Sequence, residues 1–349
     1  MAGRLTLDSL EHPLVLAPLG GGPSTPTLAA AVSEAGGLGF LAAGYRTPGA
    51  VRDDIAAVRA LTERAFGVSV FAPPPPARDE AAVRAYAESL HAEAERLGAE
   101  IGTPVHDDDA WAAKLALVME ESVPVVSFTF GCPQQDEVER LQAAGCAVWV
   151  TVTTPAEAVA ARDAGADALV VQGVEAGGHR GSFDDTAPGD IGLLALLQLV
   201  AAEVPLPMVA TGGIATGRGV AAVLAAGAAA AQVGTAFMLA EEAGTSKPHR
   251  RALQTPGSTA LTRAFSGRTA RGVENRFMRE HTDAPSAYPQ VHHVTSPMRA
   301  AGRERDDADA INLWAGQAFS LAEEAPAGEI VRRLAREARE ALREAAERA

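Results

Sequence analysis

The stretch Pro207-Met208-Val209-Ala210-Thr211-Gly212-Gly213-Ile214, with its companion Ala231-Gln232-Val233-Gly234-Thr235, decides between the two folds that an alternating β/α pattern permits. Each reads as a short apolar strand ending in glycine. A doubly wound sheet would carry its phosphate loop after the first strand, as G-x-G-x-x-G. Here the first strand candidate, Leu14–Pro18, runs into Gly20-Gly21-Gly22-Pro23, which lacks that spacing. Barrels instead place a phosphate site in the loops after strands seven and eight, on backbone amides and a helix N-terminus. Glycines this late in the chain favour a TIM-type (β/α)8 barrel. Gly213 and Gly234 would let the backbone close around a phosphate, and Thr235 could add its hydroxyl.

Outward from these segments the same rhythm recurs. Further strand candidates are Leu38–Ala43, Phe66–Phe71, Val123–Phe130, Ala147–Val152 and Ala168–Gln172, with the last strand running Ala231–Phe237. Between them lie alanine-rich amphipathic segments such as 51–61, 138–144 and 156–164. The predicted organisation is a barrel over 1–240, a cap segment over its mouth at 241–325, and a C-terminal helix at 326–349 packed on the barrel. Pro73-Pro74-Pro75-Pro76 predicts a stiff connector into a helix whose Val83, Tyr86, Leu90 and Leu97 face the barrel. In the cap, Arg263, Arg268, Arg271, Arg276 and Arg279 are expected to pair with Glu274, Glu280 and Asp283, or to form an oligomer contact. His292 and His293 read as a polar loop, with no carboxylate or thiol at metal-ligand spacing.

Composition bounds the function. The 349 residues carry 44 acidic against 30 basic side chains, a formal charge of -14, so nucleic acid is an unfavoured partner. Two cysteines, Cys132 and Cys146, suggest neither a disulfide scaffold nor a metal site. Residues 1–8 lack the apolar run of a leader, and no stretch is long enough to cross a bilayer. The expectation is a soluble cytoplasmic enzyme acting on a small molecule. Its oligomeric state is left open between a monomer and a homo-oligomer built through the cap or the last helix.

The residues with the clearest chemistry follow the sixth strand candidate: Gln172, then Glu175-Ala176-Gly177-Gly178-His179. A histidine on a glycine-rich loop at a strand's carboxyl end is placed for proton transfer near neutral pH. The amide of Gln172 offers a donor and an acceptor to a mixed polar edge. Ser69 could contact the same ligand from the third strand. No lysine lies in a strand candidate, which argues against a Schiff-base aldolase.

Taken with Ala17-Pro18, Gly67-Val68-Ser69-Val70-Phe71, Ser127-Phe128-Thr129-Phe130-Gly131 and Asn312-Leu313-Trp314-Ala315-Gly316, these segments resemble the nitronate monooxygenases, formerly called 2-nitropropane dioxygenases. The resemblance spans nearly the whole chain. It implies a barrel holding FMN without a covalent link, with contacts at Ser69, Gln172, Gly177, Gly213, Gln232, Val233, Gly234 and Thr235. It also implies His179 as the base that takes a proton from a nitroalkane, and O2-dependent oxidation of the nitronate. Two positions depart from the family pattern: Ser69 stands where asparagine is usual, and Thr129 where histidine is common. The same barrel and Gly-Gly-His loop also occur in flavin-dependent enoyl-thioester reductases and NAD(P)H:quinone reductases. A flavin- or phosphate-binding regulator without catalysis is a reading from another class, disfavoured by the titratable group in the loop.

Overall fold

The computed structural model describes residues 4–348; Met1, Ala2 and Gly3, read above for a leader, and Ala349 at the end of the last helix lie outside the described residues. Eleven strands are found among these residues: β1 Leu14–Leu16, β2 Gly39–Ala42, β3 Phe66–Phe71, β4 Val125–Thr129, β5 Ala147–Val152, β6 Ala168–Gln172, β7 Gly178–His179, β8 Met208–Thr211, β9 Ala230–Val233, β10 Thr259–Thr262 and β11 Ala270–Val273. Eight of them form one parallel sheet in the order β1-β9-β8-β6-β5-β4-β3-β2. A parallel bridge between Val15 and Leu38 closes β1 onto β2, so the sheet is a (β/α)8 barrel. The helices between strands start on repeated chemistry. Thr25-Pro26, Thr47-Pro48 and Thr154-Pro155 each put a threonine at the N-cap, where its hydroxyl accepts the amide of Leu28, Ala50 or Glu157, and a proline in the first turn.

Alternation along each strand sorts side chains into two cores. Val15, Phe40, Val125, Trp149, Val170 and Val209 fill the barrel's interior, and the N-terminal Leu7 packs beneath them. The opposite faces, including Leu14, Leu16, Val150 and Val233, pack against the helices. Each fully buried aliphatic side chain contributes roughly 1.5–3 kcal/mol, before the entropy of ordering the chain is subtracted.

Four expectations change in detail. The last barrel strand stops at Val233: the chain turns at Gly234 into a 3-10 turn over Thr235–Phe237. Its apolar continuation, Ala236 and Phe237, is apolar because it packs against the C-terminal helix Ala327–Ala346. The Val83/Tyr86/Leu90/Leu97 stripe spans two helices, Glu80–Ser89 and His91–Leu97, and faces the cap rather than the barrel. It packs on Phe265, Phe277, Met278, Val291, Val294 and Met298, and the Tyr86 hydroxyl donates to the Ala264 carbonyl at 2.7 Å. His292 and His293 lie in the helix Gln290–Glu304 rather than in a loop. Pro289 and Pro297 disguise that helix in the sequence, because proline usually reads as a breaker. The cap arginines divide: Arg263 pairs with Asp185, Arg276 with Glu93 and Glu280, and Arg279 with Glu274. Arg268 and Arg271 have no carboxylate within salt-bridge distance among the described residues, and Arg268 instead lies 4.0 Å above the Phe130 ring.

The cap is joined to the barrel through the histidine loop. β7 pairs antiparallel with β11, His179 opposite Ala270 and Gly178 opposite Arg271, and β11 pairs with β10. The segment that leaves β6 is therefore an outer strand of the cap's own sheet.

Candidate active site

The carboxyl ends of the barrel strands and the underside of the cap enclose a cavity of ≈ 590 Å3. Ser69, Gln172, Gly177, His179, Gly213, Gln232, Gly234 and Thr235 all border it; Val233 does not. The period of two explains Val233: Gln232 points inward, so its neighbour points into the helix layer, and its carbonyl accepts from the Ala17 amide at 2.9 Å.

Several of these groups are unpaired. Ser69 Oγ and Gln232 Oε1 are buried without a hydrogen-bond partner. The backbone amides of Gly213, Gly234 and Thr235 find no backbone or side-chain acceptor among the described residues. Buried polar groups are normally satisfied, so the two orphaned side-chain oxygens on one cavity mark a place where a ligand belongs, and the free amides of the exposed Gly213 and the half-buried Gly234 and Thr235 offer donors beside them. Gly213 sits at φ +66, a conformation that suits glycine, and a Cβ on Gly177 would meet the Ala315 backbone at 2.4 Å.

Gln172 differs from expectation. Its Oε1 accepts from the Gly181 amide (2.8 Å) and from Arg180 (3.2 Å), and its Nε2 donates to the His179 carbonyl (3.1 Å). Most of its hydrogen-bonding capacity holds the 179–181 backbone, leaving one amide hydrogen for anything in the cavity.

His179 is walled by aromatic rings: Trp314 at 5.4 Å, Phe130 at 5.7 Å and Tyr288 at 6.0 Å between centroids. Its Nε2 lies 2.8 Å from Ser266 Oγ. Ser266 Oγ also lies 3.2 Å from the Arg268 carbonyl; when its hydroxyl donates there, Nε2 carries the ring hydrogen and Nδ1 the lone pair. Burial, reinforced by the Arg268 guanidinium, pushes His179 down to about 3, against a weaker opposing pull from Asp185. The imidazole is neutral across the physiological range.

The cap supplies residues that the sequence reading missed. His292, Ser296, Arg299 and Arg303 lie at i, i+4, i+7 and i+11 on one face of the helix Gln290–Glu304, and all four border the cavity. That spacing was present in the sequence but was hidden by the prolines. Tyr45, Phe71 and Trp314 join them. Arg299 is buried, and all its hydrogen-bond acceptors are neutral: Thr295 Oγ1, Ser296 Oγ, Asn312 Oδ1, and the carbonyl and Nδ1 of His292. Among the described residues no Asp or Glu borders the cavity, in a chain of net charge -14. Such a cavity is built to take an anion.

Comparison with known proteins agrees with this geometry. The family model described as nitronate monooxygenase matches residues 4–337. A nitronate monooxygenase of Pseudomonas aeruginosa is 42% identical over 97% of this chain and 100% of its own length. That of Paraburkholderia phytofirmans is 39% identical over 97% and 95%. A crystal structure of nitroalkane oxidase from Streptomyces ansochromogenes superposes with a TM-score of 0.94 at 51% identity, covering 97% of this chain and 99% of that one. FabK from Thermotoga maritima gives 0.77 at 27% identity over 98% and 97%. The Gly-Gly-His loop on a (β/α)8 barrel, the match along nearly the whole chain and the close superposition lead to one assignment: this chain belongs to the nitronate monooxygenase family of oxidoreductases.

Proposed function

We propose that this protein binds FMN and oxidises nitronates, and more slowly nitroalkanes, with O2. The observation that carries the reading is a cavity in an acidic protein that no carboxylate borders among the described residues, while His179, His249, His292, Arg299 and Arg303 do. It suits two anions at once, a cofactor phosphate and a nitronate.

The residues present fit FMN. Unpaired amides at Gly213, Gly234 and Thr235 would hold the phosphate, where glycine and a helix start permit close approach. The orphaned Ser69 Oγ and Gln232 Oε1, with the remaining Gln172 hydrogen, would meet the polar edge of the ring. Bound FMN supplies the redox chemistry of nitronate oxidation. His179 acts as general base for a nitroalkane: Nδ1 takes the proton from the carbon beside the nitro group, and Ser266 holds the ring by Nε2. The imidazolium so formed is stabilised by the anion it has just created. A preformed nitronate needs no such step.

The competing reading, NAD(P)H-dependent reduction of a carrier-bound enoyl thioester or a quinone, would want a basic docking mouth. Most cap arginines are already spent on Asp185, Glu93, Glu280 and Glu274. The cytoplasm is the compartment we propose; both thiols are pushed up to about 11, mainly by burial, and have no disulfide partner to form. The test is an absorption spectrum of the purified protein, followed by anaerobic addition of an alkyl nitronate and, separately, of NADPH. Bleaching of a flavin band by the nitronate alone supports the proposal. A colourless protein that takes up no FMN, or bleaching by NADPH alone, refutes it.

A further inference from the structure

Tyr45 is held in place at evident cost. It follows β2 in the left-handed region, φ +65, where a residue with a side chain rarely sits. Three separate contacts keep it there. Its amide donates to Asp109 Oδ1 at 3.1 Å, and Asp109 Oδ2 in turn pairs with the buried Lys114 at 2.7 Å. Its ring lies flat on His292, centroids 4.0 Å apart and 2° from parallel. Its edge meets Phe71 at 5.4 Å. Asp109 and Ala110 are themselves left-handed, at φ +54 and +55, so the anchoring loop shares the strain.

All of this fixes one polar atom. Tyr45 borders the cavity, and the hydrogen of its buried hydroxyl finds no acceptor among the described residues; the Tyr288 hydroxyl beside it is placed to donate to the Tyr45 oxygen, which leaves the Tyr45 O–H free. Behind the stacked His292 stands Arg299, bonded to His292 Nδ1 at 3.2 Å and lacking any carboxylate. Tyr45 and His179 both border the cavity, and the Tyr288 ring lies 6.4 Å from the one and 6.0 Å from the other. Burial pushes the Tyr45 phenol up to about 12, opposed by the nearby Tyr288 hydroxyl and Arg299, so at neutral pH it is a donor.

We propose that Tyr45 is a substrate-binding residue, its O–H donating to an oxygen of a planar N–O group while the charge of Arg299 favours the anionic form. The inference rests on the nitronate reading above for its substrate, but the oxyanion subsite stands or falls separately. Strain maintained by three independent contacts around an unsatisfied donor is what a preorganised binding group looks like.

Tyr45→Phe tests it, since the ring and its stack remain and only the hydroxyl goes. Two readouts apply to the holoenzyme: steady-state kinetics with an alkyl nitronate, and calorimetric binding of nitrate, a planar oxyanion that needs no turnover. The expected result is a rise of about tenfold in both KM and the nitrate Kd, with kcat within about threefold, and the flavin spectrum and Tm unchanged. A nitrate Kd the same in both proteins, or no nitrate binding by the wild type, overturns the inference whatever the kinetics show. A fall in kcat with KM and Kd unchanged overturns it as well. A wild type that binds nitrate through Tyr45 but leaves nitronates untouched would refute the proposed reaction and keep the subsite.

Discussion

An ordinary histidine at this site would switch off in mild acid; His179 should not. An imidazole of pKa about 6.5 is only about 9% neutral at pH 5.5, so a base-dependent rate would fall roughly tenfold between pH 7.5 and 5.5. With His179 lowered to about 3, chiefly by burial and then by Arg268, more than about 99% stays neutral at pH 5.5. The kcat/KM for nitroethane should therefore be nearly flat from pH 7.5 to 5. The same shift has a cost. A base weakened from 6.5 to about 3 gives up at most about 5 kcal/mol of driving force for taking a proton, less wherever cavity water screens the charge. Part of this returns when the nitronate anion forms beside the imidazolium. Nitronates, which skip the step, should then exceed the parent nitroalkanes in kcat/KM by roughly two to three powers of ten at pH 7.5. His179→Asn should widen that gap, since it removes the base from one reaction only. Arg268→Met removes the nearby cation and should bring an acid limb into view by letting the imidazole pKa rise. The assay is oxygen uptake across pH with both substrate forms. A tenfold loss per pH unit starting near 6.5, or equal losses for both substrate forms on His179→Asn with flavin retained, would refute the reasoning.

Other consequences follow from single contacts. Ser266→Ala frees the ring nitrogen held at 2.8 Å, so nitroalkane kcat should fall about tenfold and nitronate kcat little, as measured by parallel steady-state assays. Gly177→Ala would drive a methyl into the Ala315 backbone 2.4 Å away, so flavin uptake should fail or weaken strongly in a fluorescence titration. His249, 7% exposed with Nε2 at 3.1 Å from the Trp314 carbonyl, is lowered to about 4 by burial. Its folded pKa lies below its unfolded one. Above pH 6.5 it has no effect, and from there down to about 4 the unfolded chain takes a proton that the fold refuses. Stability should drop by about 1.4 kcal/mol per pH unit from this group, up to about 3 kcal/mol, and Tm-versus-pH curves for His249→Gln should lack that part of the decline. Trp149→Ala, which empties the middle of the barrel, should cost about 3–5 kcal/mol by denaturant unfolding.

How much of this was legible in the sequence depended on whether the signal was local. Each barrel strand is a run of apolar residues ended by glycine, proline or a polar residue, and several of the following helices open on a threonine cap. That is why β3, β5, β6 and β8 appear where their patterns put them. Strand-end residues such as Ser69, Gln172 and Gln232 inherit their place from the strand, so they fall together on one cavity once the barrel closes. Gln172 also shows the limit of such a reading. Its position was fixed by β6, but its partners come from the 179–181 backbone, whose path is set by pairing with β11 about ninety residues later. Tyr45 gave no signal at all, because a left-handed tyrosine is stabilised by Asp109 and His292, and nothing in its neighbours' types records that.

Net charge says little about the cavity, for a physical reason. A total of -14 describes the far field, and in physiological salt that field fades within about 8 Å of the surface. The cavity is governed instead by which charges lie within a few ångströms in a medium of low polarity. There, among the described residues, no carboxylate borders the cavity, while Arg299 and Arg303 lie on one helical stripe and Arg268 stands against Phe130. An acidic exterior and an electropositive interior are compatible because the first is screened and the second is not. It follows that added salt should change association of an anionic substrate only modestly. Loss of Arg299's charge, by contrast, should weaken binding at every ionic strength. Arg299→Met measured at 20 and 300 mM salt separates the two: a defect that disappears at high salt would place the attraction outside the cavity and refute an unscreened interior charge.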